Sequence, residues 1–97
     1  MTSTKPYERG DMPTLKITFT LENIATDPTA VELKLKKPSG TVLTYTYGNP
    51  EIVRTSTGVY ECNVDLNESG RWYYRWQGTG AVQAVVEGYL DVQTGYF

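Results

Sequence analysis

Gly58-Val59-Tyr60-Glu61-Cys62-Asn63-Val64-Asp65-Leu66, followed after a polar turn by Arg71-Trp72-Tyr73-Tyr74-Arg75-Trp76-Gln77, is the stretch that decides the fold. In its first half Tyr60, Cys62, Val64 and Leu66 share one parity and Val59, Glu61, Asn63 and Asp65 the other. In its second half Trp72, Tyr74 and Trp76 alternate with Arg71, Tyr73, Arg75 and Gln77. Successive Cβ atoms leave opposite sides of a pleated strand, so a period of two marks an extended chain with one buried face. Asn67 to Gly70 between the halves reads as a turn.

The same alternation spreads outward. Leu15, Ile17, Phe19 and Leu21 alternate with Lys16, Thr18, Thr20 and Glu22. Beyond a loop at Asp27-Pro28, Val31, Leu33 and Leu35 alternate with Glu32, Lys34 and Lys36. Pro38-Ser39-Gly40 is a turn signal, since Pro presets φ and Gly is free to take φ > 0. A strand over 41–47 then places Leu43, Tyr45 and Tyr47 on one side. After Gly48-Asn49-Pro50 comes a short strand at Ile52 and Val53. Past Gly78-Thr79-Gly80, a last strand over 81–93 keeps Val82, Ala84, Val86, Leu90 and Val92 on one face, with room for a bulge at Gly88. About seven short strands separated by turns predict an all-β antiparallel sandwich or barrel.

Composition agrees. Thr, Val, Ile and the aromatics, including eight Tyr and two Trp, outweigh alanine, the best helix former, and no window holds a helical apolar period. Ninety-seven residues make one small domain. Nine Lys and Arg against eleven Asp and Glu give a net charge of −2, which argues against a nucleic-acid surface. With no histidine, the commonest general base and most zinc sites are missing. The one cysteine, Cys62, forbids an internal disulfide. No apolar run is long enough to span a membrane, and the stretch from Met1 to Asp11 lacks the apolar run of a secretion signal. The expectation is a non-enzymatic domain without cofactor or metal.

Thr57-Gly58-Val59-Tyr60-Glu61-Cys62 resembles the strand of immunoglobulin-like domains in which a Tyr two residues before a Cys forms the tyrosine corner. Ser56 stands where that pattern usually has Asp, and the partner Cys is absent. The resemblance implies an immunoglobulin-like β-sandwich. A second resemblance covers most of the chain. Its pieces are Tyr7-Glu8-x-Gly10-Asp11, Phe19-Thr20, Asp27-Pro28-Thr29-x-Val31, Lys37-Pro38-Ser39-Gly40-Thr41, Thr57-Gly58-Val59-Tyr60 and Gly70-x-Trp72-x-Tyr74-Arg75-Trp76-x-Gly78-Thr79-Gly80-Ala81. In that order and spacing they resemble small proteins encoded in the structural (head–tail) modules of tailed bacteriophages and prophages. That implies a virion component folded in the bacterial host cytoplasm. Its partners would be capsid, connector or tail subunits, and its own copies on the particle.

Trp72, Tyr74 and Trp76 are read as the inward face of a central strand. The sharper alternative is a sugar-stacking platform in a carbohydrate- or cell-surface-binding module. The candidate interaction surface is then Arg71, Tyr73 and Arg75 on the opposite face, since Tyr and Arg are enriched in interface hot spots. Residues 1–13, with Pro6, Gly10 and Pro13, are expected to fray in an isolated domain and to serve as an arm carrying Tyr7. Residues 14–93 form the sandwich, and in the tail, 94–97, Tyr96 and Phe97 are a second apolar anchor. Asp65-x-Asn67-x-Ser69-Gly70 looks like the start of a calcium loop, but Trp76 stands where the bidentate Glu belongs, so it reads as a turn. Glu61 and Asp65 read as a solvated face and Cys62 as a small core residue. The predicted role is capsid decoration or head–tail joining through protein–protein contacts.

Overall fold

A computed structural model describes residues 7–93. Ten strands follow in chain order: β1 Tyr7–Glu8, β2 Thr14–Thr18, β3 Thr20–Leu21, β4 Ile24–Ala25, β5 Ala30–Lys36, β6 Val42–Thr46, β7 Ile52–Ser56, β8 Val59–Asn63, β9 Gly70–Thr79 and β10 Ala84–Gln93. Seven have five or more residues and three have two. The large sheet has the order β1-β10-β9-β5-β6 and the small one β2-β8-β7, with β3 and β4 as a separate hairpin. All pairings are antiparallel except the parallel one of β1 with β10.

The strand order is that of an immunoglobulin-like sandwich. The small sheet has the B-E-D order of that fold, and β10-β9-β5 has the G-F-C order with β6 added beside C, as in variable-type domains. This corrects one expectation. Tyr60 and Cys62 lie on β8, the equivalent of strand E, whereas the tyrosine corner belongs to strand F. The Tyr60 hydroxyl donates to Asp27, far back in the chain, at 3.1 Å, instead of to nearby backbone. The F position belongs to β9 with its two tryptophans.

The core lies between the two sheets. Leu15, Ile17, Ile52, Tyr60 and Cys62 project from the small sheet, and Val31, Leu33, Leu35, Trp72, Trp76 and Val92 from the large one. Trp72 and Trp76 are each 1% exposed. Burying such a ring removes on the order of 200 Å² from water, about 5 kcal/mol at 25 cal/mol/Å². Trp72 also satisfies its indole N–H by donating to the Glu68 carbonyl at 2.9 Å.

Several side chains depart from the expected faces. Leu21 is 50% exposed, because the strand expected to run from Leu15 to Leu21 breaks after Thr18. Its continuation folds into the β3–β4 hairpin through Glu22 and Asn23, both at positive φ, as a type I′ turn requires. Tyr47 is largely exposed, although its ring meets the Tyr60 ring edge-on at 5.1 Å. Val86 keeps the predicted parity yet is 42% exposed, since β1 pairs with β10 only at Val92 and Gln93 and Val86 sits at the sheet margin. There is no bulge at Gly88, which pairs in register with Tyr74. The Tyr74 ring end packs close over Gly88, so a side chain there would have to displace that ring.

Residues 7–13, expected to fray, are hydrogen-bonded to the sandwich. Gly10 N–H donates to the Leu66 carbonyl at 2.8 Å, Leu66 N–H to Asp11 at 3.0 Å and Val64 N–H to Pro13 at 2.9 Å. Backbone bonds at Gly10, Asp11 and Pro13 thus tie this segment to Val64 and Leu66.

Gly58, at φ +76°, closes the β7–β8 hairpin against the β2–β4 chain. Its carbonyl accepts from Phe19 N–H at 2.7 Å, and a Cβ would lie 2.6 Å from the Phe19 carbonyl oxygen. Gly58→Ala is expected to combine a left-handed backbone penalty with this clash and lower stability by about 3 kcal/mol, measured as a fall in the urea midpoint.

Candidate interaction face

The outer face of the large sheet is laid out by strand register. Asp91 of β10 stands opposite Arg71 of β9. In the next row Tyr89, Tyr73, Lys36 and Val42 line up across β10, β9, β5 and β6, and in the row after it Glu87, Arg75, Lys34 and Thr44 do the same. Arg71, Tyr73 and Arg75 are thus brought together as the alternation predicts, on the face opposite Trp72 and Trp76.

Within this face Arg71 is held on two sides. Its Nε donates to Asp91 Oδ1 at 2.8 Å and its Nη2 to Oδ2 at 3.3 Å, while its guanidinium carbon lies 4.1 Å from the centre of the Tyr89 ring. The guanidinium holds the Asp91 carboxyl below the usual carboxylate range, and the same bond raises Arg71. Both side chains are half exposed, so the pair fixes geometry more than it adds stability. Tyr73 and Tyr89, 50% and 55% exposed, stand side by side next to it. Among the described residues, no carboxylate forms an ion pair with Lys36 or Arg75, whereas Lys34 approaches Glu32 at 3.7 Å. The result is an aromatic patch anchored at one end and edged with free cations at the other.

The remaining candidates lie elsewhere. Tyr7 stands opposite Val92 and packs, half-buried, against the core. It is therefore a framework side chain and lies off this face. Tyr96 and Phe97 fall outside the described residues. Tyr89, Lys36 and Val42 were missed in the sequence. Their parity was legible, but only the register of β10 and β5 on β9 sets them beside Tyr73. A sugar platform on Trp72 and Trp76 has no accessible ring face, since both are buried.

Two side-chain clasps hold the ends of the sandwich. At one, the Asp27 carboxylate accepts from Arg54 Nε at 3.1 Å, Arg54 Nη2 at 2.9 Å, Gly58 N–H at 2.7 Å and the Tyr60 hydroxyl at 3.1 Å. The Arg54 bonds first, then the Gly58 amide, lower Asp27 from 3.8 to about 2. At the other, Glu68 accepts from Ser39 N–H at 3.2 Å and from the Ser39 hydroxyl at 3.3 Å, and pairs with Lys37 Nζ at 3.5 Å. Lys37 also donates to Asn67 Oδ1 at 3.1 Å and sits 5.5 Å from the centre of the Trp72 ring. The stretch that looked like the start of a calcium loop is thus a turn whose Asn67 oxygen is engaged by lysine. Cys62 is buried, and burial first, then Glu51, pushes its thiol upward, away from nucleophile chemistry.

No family model matches the chain, and no curated protein does. Among solved structures it is similar to the immunoglobulin-like domain of human leucine-rich repeat-containing protein 4. The likeness is 22% identity with a TM-score of 0.40, covering 100% of this chain and 96% of that one. The assignment of the fold rests on the strand order.

Asp27 titrates lower folded than unfolded, so its contribution to stability is present above pH 4 and is lost as pH falls through about 2. Asp27→Asn is expected to lower the melting temperature at neutral pH and to flatten the acid limb of stability between about pH 4 and pH 2. Parallel thermal melts of the two proteins across that range would check it. An unchanged acid limb would remove the clasp from the account.

Proposed function

We propose that this chain is a non-enzymatic structural or accessory protein of a tailed-phage particle, acting in capsid decoration or head–tail joining. The observation that carries the contact-making role is the outer face of the large sheet. There Tyr73 and Tyr89 are exposed side by side, Arg71 is locked by Asp91 and Tyr89, and Lys36 and Arg75 are free of ion pairs among the described residues. A face built on paired strands loses little conformational freedom on docking, which keeps the entropic cost of contact low. Tyr and Arg are also the residues that most often dominate interface energetics.

The phage setting rests on the order and spacing of the sequence pieces from Tyr7 to Ala81. On a repeated lattice, many weak contacts act together, so no single face need bind tightly. The carbohydrate- or cell-surface-binding alternative loses its Trp72–Trp76 platform, because both rings lie in the core.

Quantitative mass spectrometry of purified particles, from the phage or prophage that encodes the chain, tests this reading. A copy number close to that of the major capsid protein is expected for decoration. A ring-sized handful would move the chain to the connector or tail, and absence from intact particles would overturn the virion role.

A further inference from the structure

The two outer faces of the sandwich carry matching triplets of opposite charge. On the large sheet Lys36 of β5 stands directly across from Tyr73 of β9, and Arg75 lies two residues further along β9. On the small sheet Glu61 of β8 stands directly across from Val53 of β7, and Glu51 lies two residues before Val53. Each triplet is an exposed apolar side chain with one charge across from it and a second charge two residues along the chain. Lys36 and Arg75 are diagonal neighbours on paired strands, a spacing of about 7–8 Å, while Glu51, in the turn before β7, lines one recess with Val53 and Glu61. Tyr73 is 50% exposed and Val53 55%, and each triplet lines a shallow recess. Among the described residues none of the four charges forms an ion pair. Each triplet has one counter-charge beside it in register, Glu87 opposite Arg75 and Lys16 opposite Glu61.

We propose that the Lys36–Tyr73–Arg75 face of one copy docks on the Glu51–Val53–Glu61 face of a second copy, head to tail, with Tyr73 set against Val53. The charges within a triplet are alike, so either pairing of cation with carboxylate satisfies both. The two faces lie on opposite sides of the sandwich, which lets one copy use both at once. Such a heterologous contact propagates into a row or closes into a ring. It involves exposed ion pairs around one apolar contact, so it is weak per copy, sensitive to salt and effective when copies are concentrated. This inference stands on the charge pattern alone and does not depend on the phage setting.

The test is sedimentation velocity of the full chain over a concentration series at low and high salt, with two charge-reversed variants, Lys36→Glu/Arg75→Glu and Glu51→Lys/Glu61→Lys. Far-UV circular dichroism and thermal melts establish that both are folded. The unaltered chain is expected to associate at about 50 mM NaCl and at least about tenfold more weakly at 500 mM, where the screening length falls below that of a physiological buffer. Each variant alone presents like charges on both faces and is expected to sediment as a monomer. An equimolar mixture of the two is expected to associate again, because each variant's unaltered face meets its complement. A mixture that stays monomeric overturns the proposal. So does either variant associating alone as strongly as the parent, which would put self-contact on another surface, or leave this face to a different protein.

Discussion

The burial of Trp72 and Trp76 from one face of β9 is the constraint on which the rest of the structure depends. β9 is a central strand of the large sheet, paired along most of its length on both sides, with β10 and with β5. Inward tryptophans fix its orientation, because a one-residue slip in register would turn both rings to solvent and bring Arg71 and Arg75 into the core. That parity also puts Arg71, Tyr73 and Arg75 on the outside. The same alternation thus creates the core and the candidate face, and neither can be changed in register without the other.

Many of the motif residues between Tyr7 and Ala81 are framework. Asp27, Gly58 and Tyr60 form one clasp, while Lys37, Ser39 and Glu68 form the other. Thr29 receives the Ala81 N–H and donates its own to the Thr79 carbonyl, joining two further pieces. Glu8 N–H donates to the Asp11 carboxylate, while the Gly10 and Asp11 backbones bond to Leu66. These residues close turns that side-chain burial alone would leave loose. They specify a shape, and they leave the outer faces free to differ in what they contact.

The outer faces are where the chain has invested little in stability. Their ion pairs are exposed, and several charges have no close partner among the described residues. The large-sheet face combines rigid aromatic area with cations, and the small-sheet face sets carboxylates around Val53. Opposite character on opposite sides gives the sandwich a polarity that a uniformly mixed surface would lack.

The sequence by itself determined the strands, their inward faces and the all-β class, because period-two alternation is a local property written into Tyr60 to Leu66 and Trp72 to Trp76. It also separated Tyr73 from the tryptophans beside it. What it could not determine was which strand lies next to which. Tyr60-x-Cys62 looked like strand F, but sheet order is set by long-range pairing, which placed it on the equivalent of strand E. Leu21 continued an alternating run and is exposed, since a type I′ turn at Glu22-Asn23 lacks the Asn-Gly signal that would have announced it. Asp27 read as a loop residue because its partners Arg54, Gly58 and Tyr60 are distant in the chain. Only the tertiary structure could bring Tyr89 and Lys36 beside Tyr73, or Glu61 beside Val53, because cross-strand neighbours depend on register and register depends on the packed core.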